Sequence, residues 1–262
     1  MVQVGEGRIT YDARGLAEPA AEAPRIAEID GDRASFDARD LSTRLINLEL
    51  RRLLYEEGVT DVTVENPGAK HSIGVGILTR CRITFAGSLG YFGCGLIDGP
   101  EVQITGRVGW SACENMMSGV VTVAGNAGSL TGAALRGGDV VVHGRVGARS
   151  GIDQKGGTII TLGSAGSMNG FMMQRGRQVI CGDVGPGLGD SMYDGIMYVG
   201  GRVKSLGIDC VEGEWTDADA EFIERKFRIY GLGSPPEFQK FVCGKKLYNY
   251  DNLEPSERKL VL

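Results

Sequence analysis

The chain has 262 residues, 42% hydrophobic and 23% charged, which fits a folded protein of one large or two modest domains and excludes a disordered chain. Its formal net charge of −5 argues against nucleic acid or an anionic membrane as main partner, since both recruit basic surfaces. No segment approaches the ~20 apolar residues of a membrane span, and the N-terminus MVQVGEGRITYDARG holds no apolar run of signal-peptide length.

Residues 1–36 carry weak periodic signals and read as an extended arm. The stretch DLSTRLINLELRRLLYEEG, residues 40–58, reads as a helix. Asp40 can cap its start, Ile46, Leu50 and Leu53 share one face, and Gly58 supplies a stop. Such a helix would cover the open end of the next unit and shield a strand edge from pairing with another chain. Residues 1–60 are therefore taken as an arm and capping helix.

Beyond this helix the chain repeats itself. Glycine supplies 42 of the 262 residues, against roughly 7% in average proteins, and the excess lies between Gly68 and Gly201. Gly87, Gly106, Gly125, Gly144, Gly163 and Gly182 succeed one another at steps of 19, and Gly90, Gly109, Gly128, Gly147, Gly166 and Gly185 come three positions behind. One further step each way reaches Gly68 and Gly201, where His71 and Lys204 break the second row, as irregular end repeats do. Ahead of each first glycine stands a period-2 apolar alternation such as Val102/Ile104, Val121/Val123 and Val140/Val142, the pattern of a strand. Two residues after it comes a small or aliphatic residue: Leu89, Val108, Ala127, Val146, Ala165, Val184.

Nineteen residues are too few for a strand plus a helix, and they suit one turn of a β-helix whose like positions stack at ~4.8 Å. The expected fold is all-β: a single-stranded β-helix, or solenoid, of about eight 19-residue coils over residues 61–212, taken as right-handed, with helices at both ends. Left-handed hexapeptide helices would give about 18 residues per coil, and calcium-binding rolls need a recurring Asp that is absent here. Matches to a dinucleotide fingerprint are cheap in so glycine-rich a chain, and none precedes a helix-length segment.

Residues 213–262 form the third unit. TDADAEFIERKFRIYG, residues 216–231, reads as a helix with Thr216 and Asp219 as capping box and Ala220, Ile223, Phe227 and Tyr230 on one face. Phe238, Phe241, Leu247, Tyr248 and Tyr250 then crowd a tail too short for its own core, so the tail should dock on the solenoid or on another subunit.

Candidates for chemistry are sparse. His71 and His143 occupy different coil positions, and no serine, histidine and acid set has a nucleophile's setting. The six cysteines lack a CxxC pair, which suggests reduced thiols in a cytoplasmic protein. Cys94 and Cys113 are 19 apart, hence stacked; they read either as a redox or cluster pair or as small side chains in a tight row. Met116 and Met173 share an inward row with Ile97 and Leu135, whereas Met117 and Met172 could face a partner. GDVGPGLGDS, residues 182–191, could cradle an anion on its backbone or serve as a corner.

The phrases GNAGSLTGAALRGG and GRVGARSGIDQKGG, with ENMMSG, the GDS at 189–191 and SLGIDC at 205–210, resemble the GXGXG family. Its β-helical domains end the glutamate synthase large subunit and also occur as free-standing subunits. The resemblance covers about residues 40–212 and implies a chain with no catalytic, cofactor or metal site of its own. It implies partners instead: a glutamine amidotransferase-like subunit and a glutamate synthase-like subunit that holds FMN and iron–sulfur clusters. The possible contact residues are Met117, Met172, Phe238, Phe241, Tyr248 and Tyr250. The same family includes one of the subunits of formylmethanofuran dehydrogenase, so a complex of that kind, or a formyltransferase/hydrolase complex, is the alternative. An acyltransferase on a left-handed helix would need 18-residue coils and a histidine at a coil junction, and the sequence has neither.

Overall fold

The computed structural model describes residues 2–5, 8–11 and 22–244. A short antiparallel pair, β1 (Val2–Gly5) and β2 (Arg8–Tyr11), precedes β3 (Glu28–Asp30), β4 (Arg33–Asp37) and helix α1 (Thr43–Tyr55). The coils come next, as β5 (Asp61–Glu65), β6 (Arg82–Ala86), β7 (Asp98–Ile104), β8 (Ser118–Val123), β9 (Asp139–Val142), β10 (Lys155–Thr161), β11 (Arg175–Ile180), β12 (Val184–Leu188), β13 (Ile196–Val199) and β14 (Val203–Leu206). Strand β15 (Cys210–Glu212), helix α2 (Asp217–Tyr230) and β16 (Gln239–Cys243) close the described chain.

The molecule is a single-stranded β-solenoid of about eight turns with two flanking helices, as the 19-residue step predicts. In its first wall β4 to β11 and then β13 lie side by side, all parallel. Register partners run Arg33, Asp61, Arg82, Glu101, Val120, Asp139, Thr158, Arg177, Ile196, so the step settles at 19 only from Arg82 onward. Ile83, Val102, Val121, Val140 and Ile159 stack inside, as do Phe85, Ile104, Val123 and Val142, all buried. Each such aliphatic side chain contributes about 1.5–3 kcal/mol by leaving water.

The second wall is reduced to one residue per coil. Leu89, Val108, Ala127, Val146, Ala165 and Val184 pair as a chain of parallel bridges, widening to a true strand pair only at β12 and β14. The flanking glycines are required by crowding. A Cβ on Gly128 would lie 2.6 Å from the carbonyl carbon of Gly109, and one on Gly147 2.5 Å from the amide nitrogen of Ser129.

A third wall completes each coil, and its backbone is not a strand. Phe92, Cys94 and Leu96 have φ of 58°, 55° and 57°, and Ser111, Cys113 and Asn115 repeat the alternation one coil on. Left-handed angles cost a non-glycine residue roughly 1–2 kcal/mol, which explains why the Cys94 and Cys113 row continues as glycine from Gly132 onward. Hydrogen bonds between coils offset that cost: Leu96 N–H donates to Glu114 O and Asn115 N–H to Ala133 O, at 2.9 and 2.8 Å.

Both ends of the ladder are covered. β3 pairs antiparallel with β4 at one edge, and β16 pairs antiparallel with β13 and β15 at the other. The outermost strands, β3 and β15, have three residues each, too short to template another sheet. Helix α1 lies under the first coil and satisfies its free backbone groups: Asn47 bonds Ser72 O and Gly74 N–H, and the Tyr55 hydroxyl accepts from Leu78 N–H. Ser42, not Asp40, caps this helix, its hydroxyl accepting from Leu45 N–H; the helix starts at Thr43, too far on for Asp40 to reach. Segment 25–27 is pinned to α1 by Glu49, which accepts three backbone N–H groups and pairs with Arg52 while fully buried. Helix α2 lies on the outer face of β9, β10, β11 and β13, where Phe222, Ile223 and Phe227 cover Val141, Ile160, Val179 and Tyr198.

Candidate functional site

The third wall presents the exposed apolar residues in an ordered way. Positions 19 apart stack on it, so each side chain belongs to a row running along the solenoid. At the edge where each coil enters this wall, the His71, Tyr91 and Trp110 rings form a ladder, with centroids 4.5 and 5.4 Å apart. His71 Nδ1 accepts the Tyr91 backbone N–H at 2.9 Å, so this histidine is a brace that orients the ladder's first ring. Trp110 remains 54% exposed. At the edge where the coil leaves, Leu78, Leu96 and Met117 are exposed near the N-terminal end and Met172 and Tyr193 near the other.

Met117 and Met172 both face solvent, at 47% and 36%, whereas their neighbours Met116 and Met173 are fully buried. Three coils separate the two exposed methionines, about 14 Å at the interstrand spacing. The wall between them is polar: Asp153 is paired with Lys155 at 3.2 Å and accepts from Gln174 at 2.6 Å. The wall thus carries two apolar patches divided by a charged belt. Apolar, methionine-rich and aromatic patches with a polar border are the composition of protein-binding surfaces.

Other expected positions lie elsewhere. Phe241 is 1% exposed, because β16 inserts between β13 and β15 and turns this ring into the core. It offers a partner nothing. Phe238 packs edge-on against Phe227 at 6.2 Å, so this part of the tail docks on the chain's own α2. Tyr248 and Tyr250 fall outside the described residues. The twelve corner glycines stand between adjacent coils and meet backbone from the coil before.

Among the described residues the sequence candidates stand apart from one another: His71 and His143 lie at different coil positions from the Cys94 and Cys113 pair. Burial pushes the Cys94 thiol up to about 12, and burial together with Cys94 beside it raises Cys113 well above the ordinary range. Both thiols are therefore protonated at neutral pH, the state in which sulfur is a poor nucleophile. Among the described residues no three His, Cys, Asp or Glu side chains gather as a metal site would need. In segment 182–191 the amides point to neighbouring coils: Gly185 to Ala165 O and Gly189 to Asn169 O, with Gly187 on the Ser205 hydroxyl. The segment is a corner that runs into strand β12, and these N–H groups are not free to cradle an anion. His143 is exposed on a bend. No helix among the described residues is long and apolar enough to cross a membrane.

Sequence reasoning missed the aromatic ladder, although Tyr91 and Trp110 are 19 apart and so had to stack.

No family model matches the chain. Among curated proteins it is similar to Protein GlxC of Rhizobium meliloti (strain 1021), with 40% identity over 68 residues. That alignment covers 24% of this chain and 29% of the length of GlxC.

Proposed function

We propose that this chain is a non-catalytic scaffold subunit of a glutamate synthase-like enzyme. The complex we favour is N-methylglutamate synthase, which converts methylamine and L-glutamate to N-methylglutamate and ammonia. In this reading an amidotransferase-like subunit and a subunit that holds FMN and iron–sulfur clusters dock on the solenoid and do the chemistry, in the cytoplasm. The arm and capping helix of residues 1–60, the β-helix of 61–212 and the tail of 213–262 divide the structural labour.

One observation carries the scaffold role: a single rigid wall holds two apolar patches, around Met117 and around Met172, at a fixed separation. A closed stack of hydrogen-bonded coils suits that task, because its two patches cannot drift relative to each other. The family assignment rests on the glycine phrases of the repeat, and the partial similarity to GlxC is compatible with it.

The test is affinity purification of the tagged chain from its native cell, followed by mass spectrometry and an absorption spectrum. A flavoprotein of glutamate synthase type should co-purify, with flavin absorbance in the complex and none in the isolated chain. FMN that stays with the purified single chain, or turnover by it, overturns the scaffold role. Recovery of an amidohydrolase-like or formyltransferase subunit moves the chain to the formylmethanofuran dehydrogenase-like alternative.

A further inference from the structure

A groove of about 650 Å³ runs between helix α2 and the rim where β9, β10, β11 and β13 begin, a size typical of small-ligand sites. Its floor is bare because stacking forbids side chains there: a Cβ on Gly156 would lie 2.2 Å from Arg136 O, and one on Gly176 2.7 Å from Gly156 O. Beneath that floor the Gln154 amide donates to the carbonyls of Gly156, Gly157 and Arg177, at 2.9, 3.2 and 3.4 Å. The negative ends of these peptides are thereby engaged from the core side.

The walls are cationic. Arg175, Arg177, Arg225 and Lys226 line the groove against Asp139 and Asp194. Asp139 is already engaged, by Lys226 at 2.5 Å and by the Tyr230 hydroxyl. Among the described residues the three arginines pair with no carboxylate. Arg177 lies with its guanidinium carbon 4.2 Å above the Phe222 ring, which fixes its plane, and its buried Nε has no hydrogen-bond partner. Arg177 pairs in register with Thr158 one coil earlier, so its charge is a local departure from the repeat, whereas Arg175 pairs with Lys155 and extends a cationic position. On a chain of net charge −5, a groove with two surplus positive charges is an exception that stacking does not require.

We propose that this groove binds a small dianionic oxyanion, a phosphate or a dicarboxylate, between Arg175 and Arg177 on the coil and Arg225 on the helix. Guanidinium groups present paired donors that match either oxyanion, and a dianion neutralises the surplus. The site lies on the opposite side of the first wall from the coil interior and involves none of the residues of the partner-binding face, so it stands independently of the scaffold reading.

The full-length chain would be titrated calorimetrically at mildly alkaline pH with inorganic phosphate and, separately, with glutarate. Saturable binding of either is expected, and the tighter probe identifies the source of the oxyanion. Arg225→Gln, at an exposed helix position, and Arg175→Gln should each weaken it at least tenfold with melting behaviour unchanged. Arg228→Gln, an exposed cation of the same helix outside the groove, should leave it within twofold. Absence of binding by both probes at millimolar concentration overturns the proposal, and so does an equal loss in all three variants.

Discussion

Tyr198, fully buried in the last parallel strand, donates its hydroxyl hydrogen to Asp219 of α2 at 2.7 Å. Asp219 also accepts from Thr216 N–H, the Thr216 hydroxyl and Lys240 Nζ, so one carboxylate ties the solenoid wall, the start of α2 and strand β16 together. Burial alone would raise its pKa, but the hydrogen bonds from Lys240, Thr216 and Tyr198 outweigh it and hold it below the usual carboxylate range. Asp219→Asn leaves the half-buried Lys240 without its counter-ion and should cost about 1–3 kcal/mol, read by urea denaturation.

The pH dependence arises from the same knot. A depressed carboxylate stabilises the fold above its unfolded pKa near 3.8, and that stability drains away as pH falls below it. Tyr198 runs the other way: burial first, then Asp219, raises its pKa above the ordinary 10. Its contribution is complete below 10 and is lost as pH climbs beyond. Tyr198→Phe should therefore flatten the alkaline limb of a melting-temperature profile more than the acid limb.

Glu49 and Arg52 form a second buried knot, with side chains 0% and 5% exposed. Glu49→Gln should destabilise by about 1–3 kcal/mol, since Arg52 then stays buried beside a neutral amide and keeps only Glu57 as counter-ion. Segment 25–27 should loosen with it, which amide hydrogen exchange at Ile26 and Ala27 would register.

Gly128→Val or Gly147→Val should abolish soluble folded protein, because the atoms they would strike are backbone of the coil below and cannot step aside. Gly58→Ala is the contrast. Its Cβ meets nothing within 4 Å, and only the φ of +70° resists, so a loss of about 1–2 kcal/mol is expected. Comparable behaviour of the two classes in thermal melts would remove crowding as the reason for the corner glycines.

On the third wall, Trp110→Glu or Met117→Glu should reduce recovery of the co-purifying subunit at least tenfold while shifting stability of the isolated chain by only about 0.5 kcal/mol. Arg145→Glu, exposed outside that face, serves as control. Undiminished recovery in both face variants would detach the partner from this wall.

The repeat was legible because stacking imposes a hard rule on one atom: corners that touch the previous coil must lack a Cβ, and the rule recurs every 19 residues. The α2 capping box was legible for a similar local reason, and both of its hydrogen bonds are present. The start of the ladder was not. Helix α1 is inserted between β4 and β5, stretching that step to 28 residues, and the next step is 21. Period counting fails across such gaps. The left-handed third wall was also hidden, since Phe92, Leu96 and Leu130 carry no residue-type signal for positive φ. The cationic groove draws on Arg175 and Arg225, 50 positions apart and joined only when α2 folds back.

The constant step from Arg82 to Ile196 makes the solenoid a column of interchangeable storeys. Inserting or deleting one whole storey would displace everything above it by about 4.8 Å while preserving every register beneath. The distance between whatever sits at the two ends is therefore quantised, and such a protein can be lengthened or shortened only in whole floors.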